Sequence, residues 1–240
     1  MKDSLFTLLM SHHINPKDVF VVMPAYNENL IIQPVIQELL PYQYNILVID
    51  DGSAKTLAPL LKKIPVYFIR HKVNLGQGAA LQTGIEFALS KQAKYIIMFD
   101  ADGQHQASDI EKLLLYLINE KVDIVSGSRF MKGSSHNMSS GRKLFLQIAR
   151  YANFFFTGLL LTDAHNGLRA ITREAAQKIK ITENGMAHAT EILNQISKRR
   201  LRHREVPVTI HYTEYSKKKG QTLTSSFRIF FDLLLNKIFK

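Results

Sequence analysis

Five short apolar runs, separated by segments with helical periodicity, constrain the fold of this chain more than any other feature. The runs have the length and β-branched content of strands and cover residues 19–23, 44–49, 66–69, 95–99 and 122–126. Helical patterns between them cover residues 29–40, 54–63, 78–91 and 108–119. A repeated strand, helix, strand order produces right-handed crossovers. We therefore predict an α/β domain with a mainly parallel, Rossmann-like central sheet covered on both faces.

The chain length favours one large domain. Its 240 residues are 46% hydrophobic, enough for a sizeable core. We predict a domain over residues 1–212 and a basic, amphipathic segment over residues 213–240. A further helix is predicted over residues 143–161, and its polar interruptions argue against a membrane span. The first 18 residues lack the pattern of a secretory signal, so export is not expected.

Positive charge is concentrated near the C-terminus. The net charge is +11, and residues 198–240 carry eleven Lys or Arg against three acidic residues. This asymmetry indicates an anionic partner, which is a nucleic acid, a lipid surface or a phosphorylated substrate. A merely solvated basic tail is the alternative.

The final sixteen residues, "SSFRIFFDLLLNKIFK", resemble an amphipathic helix. Arg228, Asp232, Asn236 and Lys237 form one polar stripe on a surface that is otherwise apolar. The segment is shorter than the roughly 20 apolar residues of a membrane span. We predict that residues 222–240 lie at a membrane surface, with docking on the core or on a partner's helix as the alternative.

Polar and glycine-rich motifs follow all five predicted strands. They read "PAYNEN", "DDGS", "HKVNLGQGAA", "DADGQH" and "GSR" in chain order. Each motif alone has an ordinary explanation as a turn or a helix cap. Ligands of open parallel sheets bind beyond the carboxyl ends of the strands, however, so five such ends together predict a ligand site.

Asp100 and Asp102 are the candidates for binding a cation at this site. Residues two apart in an extended chain point to the same side, so both carboxylates can reach one hard cation, Mg²⁺ or Mn²⁺. Such a cation keeps part of its shell for phosphate oxygens, which predicts a nucleotide diphosphate as the ligand. The motif "NLGQGAALQTG" lacks the third glycine of a dinucleotide-binding turn, and the chain has no P-loop.

The motifs together carry a resemblance to a known family. "VVMPAYNEN", "VIDDGS", "NLGQGAALQTGIEFAL", "FDADGQH", "SGSRF" and "DAHNGLRAITREAA" resemble, in this order, the family 2 glycosyltransferases of GT-A fold. Within that family the chain is most similar to the dolichyl-phosphate mannose synthase and polyprenyl-phosphate sugar synthase branch. The resemblance covers about residues 19–212.

The resemblance implies a role for particular residues on the donor side. The nucleoside pocket would be lined by Pro24, Ala25, Tyr26 and Glu28, with Asp51 accepting from the base and Gly76 allowing close backbone approach. Asp100 and Asp102 would hold the metal and the diphosphate, and Gln104 would assist them.

It also implies an acceptor side. Arg129 and Arg142 would bind the acceptor phosphate, since a guanidinium fork matches phosphate oxygens. A surface ion pair is the alternative for Arg129. Asp163, Asn166 and Arg169 would border this side, with Asp163 and Arg129 counted as catalytic beside Asp102. Lys217 to Lys219 would belong to a basic loop that closes over the diphosphate.

The implied function is metal-dependent inverting transfer of a hexose or N-acetylhexosamine from a nucleotide-diphosphate sugar, UDP-sugar favoured, to a polyprenyl phosphate. The enzyme would be cytoplasmic and peripheral to the inner face of the membrane, alone or docked to a small membrane protein. One alternative is a polysaccharide chain-extending transferase, which needs a general base such as Asp163 or Glu191. The other is a non-catalytic nucleotide-binding or nucleic-acid-binding module. We expect no nucleic-acid partner, because the basic residues share the tail with an apolar helix rather than with interleaved stacking aromatics.

Overall fold

A computed structural model describes residues 14–136 and 140–212. Its first half is a run of parallel strands with helical connections, as predicted. The strands are β1 (Val19–Ala25), β2 (Asn45–Asp50), β3 (Tyr67–Arg70) and β4 (Tyr95–Met98). The connecting helices are α1 (Ile32–Leu39), α2 (Ala58–Leu61) and α3 (Gln77–Ser90), and short 3₁₀ turns cover Pro16–Asp18 and Leu40–Tyr42.

The second half completes the sheet and adds further helices. Its helices are α4 (Ser108–Asn119), α5 (Ser140–Thr157), α6 (Arg173–Lys178) and α7 (His188–Lys198). Its strands are β5 (Ile124–Ser128), β6 (Ser135–His136), β7 (Arg169–Thr172), β8 (His203–Pro207) and β9 (Thr209–Ile210). The predicted tail helix and the basic loop lie in residues 213–240, outside the described residues.

Seven strands form one sheet in the order β3-β2-β1-β4-β7-β5-β8. Strands β1 to β4 pair in parallel, as do β5 and β8, whereas β7 is antiparallel to both of its neighbours. The prediction of a mainly parallel α/β sheet is confirmed. Strand β7 has no apolar run, because its four residues are "RAIT", and it was therefore not among the predicted strands.

Both faces of the sheet are buried. Along β1, Val19, Val21 and Met23 pack into one core cluster, and Phe20 and Val22 pack into the other. Helices α1 and α4 contribute to the first cluster, and α3 and α7 contribute to the second. Two covered faces explain why the strands read as continuous apolar runs rather than as alternating ones.

Two helices differ in extent from their predictions. The pattern over residues 54–63 yields only the four-residue α2, because Asp50 accepts the backbone amides of Ser53 and Leu57 and holds the preceding segment in a turn. Helix α5 ends at Thr157, before Gly158, whose φ of 70° is left-handed. No helix within the described residues is long and apolar enough to cross a membrane.

Candidate functional site

The loops that follow β1 and β2 are joined to one another at the carboxyl edge of the sheet. The Asn27 backbone amide donates to Ser53 Oγ at 2.9 Å, and Asn27 Oδ1 accepts from the Ala54 amide at 2.9 Å. Asn27 has a φ of 55°, a left-handed conformation that asparagine tolerates. The segment from Pro24 to Glu28, predicted to line a nucleoside pocket, is thereby held beside the "DDGS" turn.

Side chains in this first segment differ in exposure. Pro24 and Ala25 are buried in β1, whereas Tyr26 is exposed. Glu28 is buried, and its charge helps to raise the pKa of Asp102. The segment therefore has an exposed aromatic side chain at Tyr26 and a buried acidic one at Glu28, whose charge acts on Asp102.

Asp51 connects the β2 loop to the start of α3. Its Oδ1 accepts from the Leu75 amide at 3.0 Å and contacts His71 Nδ1 at 2.8 Å, and its Oδ2 accepts from the Gly76 amide at 2.7 Å. A carboxylate has about four lone-pair positions, so these bonds are compatible with the predicted contact to a base. What the structure shows is that Asp51 holds the loop over residues 71–76.

Gly76 permits a close backbone contact within the protein. Its φ is 103°, and a Cβ atom there would collide with the carbonyl oxygen of Asn184. The neighbouring Gly78 amide donates to the same carbonyl at 2.8 Å. The backbone that approaches Gly76 is thus the segment preceding α7, while its predicted approach to a nucleotide stays a prediction.

Asp100 and Asp102 lie in the loop directly after β4. Asp100 Oδ1 accepts from Gln77 Nε2 at 2.8 Å, and Asp100 Oδ2 contacts His105 Nε2 at 3.3 Å. Asp102 accepts twice from Gln104, from the backbone amide at 3.0 Å and from Nε2 at 2.6 Å. Gln104 therefore orients the Asp102 carboxylate, while its predicted assistance in holding the metal and the diphosphate stays a prediction.

The two carboxylates carry opposite pKa shifts. Burial and then the nearby charge of Asp100 together raise the pKa of Asp102 to about 6. Burial also acts to raise the pKa of Asp100, but the hydrogen bond and charge of His105 outweigh it and leave that pKa below its usual value. Negative charge at Asp102 is therefore undercompensated by the protein itself, as expected where a cation completes the site.

The donor set fits a hard divalent cation. Asp100 and Asp102 offer oxygen atoms only, the ligand type preferred by Mg²⁺ and Mn²⁺. Within the described residues no group of three or more acidic or histidine side chains could enclose a metal by itself. Two protein ligands leave the other positions to water and phosphate oxygens, the usual arrangement for a metal bound with a nucleotide.

Arg129 and Asp163 form a buried ion pair. Arg129 Nε donates to Asp163 Oδ2 at 2.6 Å and Arg129 Nη2 donates to Asp163 Oδ1 at 2.6 Å, while Nη1 lies 2.9 Å from the Tyr212 hydroxyl. Burial acts to raise the pKa of the Asp163 carboxyl, but the charge of Arg129 and its hydrogen bonds together outweigh burial and leave that pKa below its usual value. The alternative of an ion pair for Arg129 is realised, although in the interior rather than at the surface.

The backbone at Asp163 is also held in place by hydrogen bonds. Glu205 accepts the amides of Thr162 and Asp163 at 2.7 and 2.9 Å. The Asp163 side chain therefore reaches Arg129 from a fixed position. The charge of Arg129 is compensated by the protein, and a direct contact to an acceptor phosphate stays a prediction.

Arg169 begins β7 and is fully buried. Its Nη2 lies 3.4 Å from the Ala164 carbonyl, and its Nε has no hydrogen-bond partner among the described residues. Burial lowers its pKa, and the charges of Asp100 and Asp163 oppose that change. Arg169 thus interacts electrostatically with both Asp100 and Asp163.

Glu191, proposed as a base from sequence, is engaged by its own surroundings. Its carboxylate accepts the amides of Thr182 and Glu183 at about 3.0 Å and also the Thr182 hydroxyl. Asp163 is occupied by Arg129 in the same way. Both carboxylates are therefore engaged in contacts within the protein.

Three residues of the site had no role assigned from sequence. Gln77 and His105 orient Asp100, and both lie inside quoted motifs, "NLGQG" and "DADGQH". His188 begins α7 and interacts electrostatically with Asp100 and Arg169. No local sequence signal marks His188, since only the fold brings α7 to this edge.

Arg142 has its backbone in α5, and its side chain lies outside the described residues. Asn166 accepts the Leu168 amide at 3.0 Å and shapes the turn before β7. Lys217 to Lys219 also lie outside the described residues.

Comparison with known proteins identifies relatives along nearly the whole chain. Residues 20–180 match the family described as Glycosyl transferase family 2. An uncharacterized protein of Methanocaldococcus jannaschii is 38% identical over 95% of this chain and 96% of its own length. The UDP-N-acetylglucosamine–dolichyl-phosphate N-acetylglucosaminyltransferase of Methanococcus voltae is 31% identical over 93% of this chain and 98% of its own length.

Solved structures resemble the fold. Glucosyl-3-phosphoglycerate synthase from Mycobacterium tuberculosis with Mn²⁺ and UDP-glucose aligns with a TM-score of 0.68 over 98% of this chain and 80% of that chain, at 15% identity. The same enzyme with Mn²⁺, UDP and phosphoglyceric acid gives 0.67 over 92% and 78%, at 17% identity. At such identities the likeness shows the fold alone, and that fold is the predicted GT-A architecture.

Proposed function

The chain belongs to glycosyl transferase family 2, and we propose that it transfers a sugar from a nucleotide-diphosphate donor to a polyprenyl phosphate. The sugar is a hexose or an N-acetylhexosamine, and UDP is the favoured carrier. The Methanococcus voltae relative, which aligns over almost the full length of both chains, supports a UDP-sugar donor and a lipid-phosphate acceptor by its name.

The contacts of Asp163 and Glu191 are the observation that favours one acceptor over the other. A sugar hydroxyl needs a general base, and both candidates, Asp163 and Glu191, are committed to other contacts. A phosphate monoester has a second pKa of about 6, so at neutral pH it attacks without a base. This contrast favours a polyprenyl phosphate over a polysaccharide end.

On the donor side, the residues of this chain position the leaving group. Asp100 and Asp102 would hold Mg²⁺ or Mn²⁺, which neutralises charge on the departing diphosphate. Gln77 and His105 fix the Asp100 carboxylate, and Gln104 fixes that of Asp102. Fixed carboxylates would keep the departing diphosphate in one position. Direct displacement then forms the bond from the phosphate oxygen to the anomeric carbon as the bond to the diphosphate breaks, which inverts that carbon.

On the acceptor side, Arg129 and Arg169 supply buried positive charge. Both positive charges interact with Asp163, whose negative charge partly compensates them. In this arrangement Asp163 acts as a positioning residue rather than as a base. Residues 222–240 are proposed to hold the enzyme at the inner face of the membrane, alone or with a small membrane protein.

The experiment is a product analysis with purified full-length protein. A panel of nucleotide sugars is incubated with Mn²⁺ and a short polyprenyl phosphate, and products are identified by mass. We expect one glycosylated lipid phosphate and a nucleoside diphosphate. Transfer to oligosaccharide hydroxyls, with no lipid product from any donor, would favour the chain-extending alternative.

A further inference from the structure

Among the described side chains of helix α5, two polar ones are buried and several large apolar ones are exposed. Asn153 and Thr157 are buried, and α5 packs against α7. Ile148, Tyr151 and Phe154 lie on the opposite side, at the spacing of one helical face. A surface helix of a globular protein normally shows the reverse orientation.

The exposure of this face is large. Four apolar side chains of α5 and Leu160 just beyond it are between 44% and 78% exposed, namely Ile148, Tyr151, Phe154, Phe155 and Leu160. They form the α5 apolar face. Contiguous exposed patches of this kind mark sites of interaction with a protein or a membrane.

The buried side of α5 contains polar atoms that this orientation leaves without partners among the described residues. Both side-chain polar atoms of Asn153 and the Nε of Arg150 are buried without a hydrogen-bond partner in the described part of the chain. Turning α5 would carry its aromatic residues inward and relieve these groups, yet the chain places them the other way. The orientation indicates that the exposed side has a favourable environment of its own.

Exposed basic residues lie near both ends of helix α5. Lys143 is exposed near the start of the helix. At its other end, a Cβ on Gly158 would lie 3.9 Å from Ser197 Oγ, so the end of α5 adjoins the end of α7. There Lys198, Arg199 and Arg200 follow in a row, all exposed and in no ion pair with a residue of 14–136 or 140–212.

We propose that the α5 apolar face docks on an anionic phospholipid surface, with Lys143 and Lys198 to Arg200 contacting the lipid phosphates. Aromatic side chains beside basic ones are the composition that binds at the boundary between headgroups and acyl chains. A second copy of the chain would bring the basic residues of both copies together or leave them unmatched, whereas lipid phosphates neutralise them.

The location of the face suits the proposed reaction. Leu160 is exposed, and only three residues later Asp163 is buried against Arg129. A membrane covering α5 would therefore lie beside the acceptor side. The docking itself does not depend on the reaction, because vesicles without polyprenyl phosphate test it.

The chain has no tryptophan, which allows a site-specific test in the full-length protein. Phe154→Trp places a fluorophore on the α5 apolar face, and Tyr116→Trp places one on α4 at matched exposure, 44% against 43%. The control is remote, because α4 and α7 cover opposite faces of the sheet. With phosphatidylglycerol vesicles, the Phe154→Trp emission should shift to shorter wavelength and be quenched by brominated acyl chains. Emission of the control should not change.

Vesicle sedimentation then separates the two contributions. Tyr151→Ser should weaken binding about tenfold or more, whereas Tyr116→Ser should not. Lys198→Glu with Arg199→Glu should weaken it by at least about fivefold per residue, and Lys62→Glu with Lys63→Glu serves as the matched charge control. Phosphatidylcholine vesicles or high salt should reduce binding of the unaltered protein.

Three outcomes would overturn the proposal. Sedimentation without quenching of Phe154→Trp would place the lipid contact elsewhere, for instance in residues 222–240. A concentration-dependent blue shift without vesicles would indicate a second copy. A blue shift at every dilution without vesicles would indicate that another part of the same chain covers α5. If the full-length protein transfers no sugar while Phe154→Trp is quenched as expected, only the proposed function is contradicted.

Discussion

Arg129 and Asp163 bind each other through two parallel hydrogen bonds of 2.6 Å in the interior of the protein. One residue follows β5 and the other lies in the turn before β7, so the pair joins two segments 34 residues apart. Because both charges are removed from water, the loss of either one leaves its partner uncompensated.

We predict that Asp163→Asn lowers the free energy of unfolding by about 3–5 kcal/mol. The cause is the buried Arg129 charge that would remain. Denaturant unfolding followed by circular dichroism measures it. Asp123→Asn is the matched control, since Asp123 pairs with the exposed Arg202, and it should cost no more than about 1 kcal/mol. Equal stability of both variants would mean that the Arg129–Asp163 pair is not structural.

Asp102→Asn should reduce transfer by several orders of magnitude and abolish tight Mn²⁺ binding while the domain stays folded. The variant replaces one of the two carboxylates proposed to hold the cation with a neutral amide. Transfer assays and electron paramagnetic resonance of bound Mn²⁺ provide the two measurements. Asp18→Asn, which alters a carboxylate at the start of β1, is the control. Full activity of Asp102→Asn, or of the unaltered enzyme in excess chelator, would contradict the metal assignment.

Gly167→Ala should weaken Mn²⁺ binding although residue 167 is not itself a ligand. A Cβ at this position would overlap the Asp100 carboxylate and displace it. Gly185→Ala is the matched control, because a Cβ there meets no atom within 4 Å. We expect Gly167→Ala to lose Mn²⁺ affinity tenfold or more, which corresponds to about 1.4 kcal/mol of binding free energy. Gly185→Ala should lose none. Equal affinities would show that Asp100 tolerates the shift.

Mn²⁺ affinity should fall as the pH drops through about 6. The pKa of Asp102 is raised to about 6 by burial and by Asp100, and the cation requires the ionised carboxylate. Below that pH, binding must displace one proton, so affinity should decline up to about tenfold per pH unit. Titration of Mn²⁺ between pH 5 and 8 tests this. An affinity that stays constant down to pH 5 would show that Asp102 is not a ligand or is not shifted.

The free energy of unfolding should fall in mild acid because protonation of His203 is disfavoured in the folded state. Its pKa is lowered to about 4, chiefly by burial and then by the charges of Arg169 and Arg204. The neutral ring is favoured in the folded state, so its contribution is complete above pH 6.5 and is lost as the pH falls toward 4. The expected loss is about 1–3 kcal/mol. His203→Gln, which can keep the contact to Ser126, should flatten this part of the stability curve. An unchanged curve would assign the acid sensitivity to other groups.

The parallel half of the sheet and the motifs at its edge could be predicted from sequence because their causes are local. A strand buried on both faces must be apolar along its whole length, as β1 is. The chain direction then places every loop after such a strand at the same edge, which brings Asp51 and Asp100 together there.

Strand β7 could not be predicted from its local sequence. Arg169 is a poor indicator of a central strand, yet β7 lies between β4 and β5 and carries this arginine into the interior. Its position depends on pairing with strands about 45 and 75 residues away along the chain, and such pairing leaves no periodic signal in four residues.

The sequence by itself determined the fold class, the family and the acidic pair at the end of β4, since burial, periodicity and motif order are properties of contiguous residues. Tertiary structure alone decided that Arg129 is bound by Asp163, that Glu191 is held by Thr182, and that Tyr151 and Phe154 of α5 are exposed. The physical reason is that charge compensation and side-chain exposure depend on which distant segments meet.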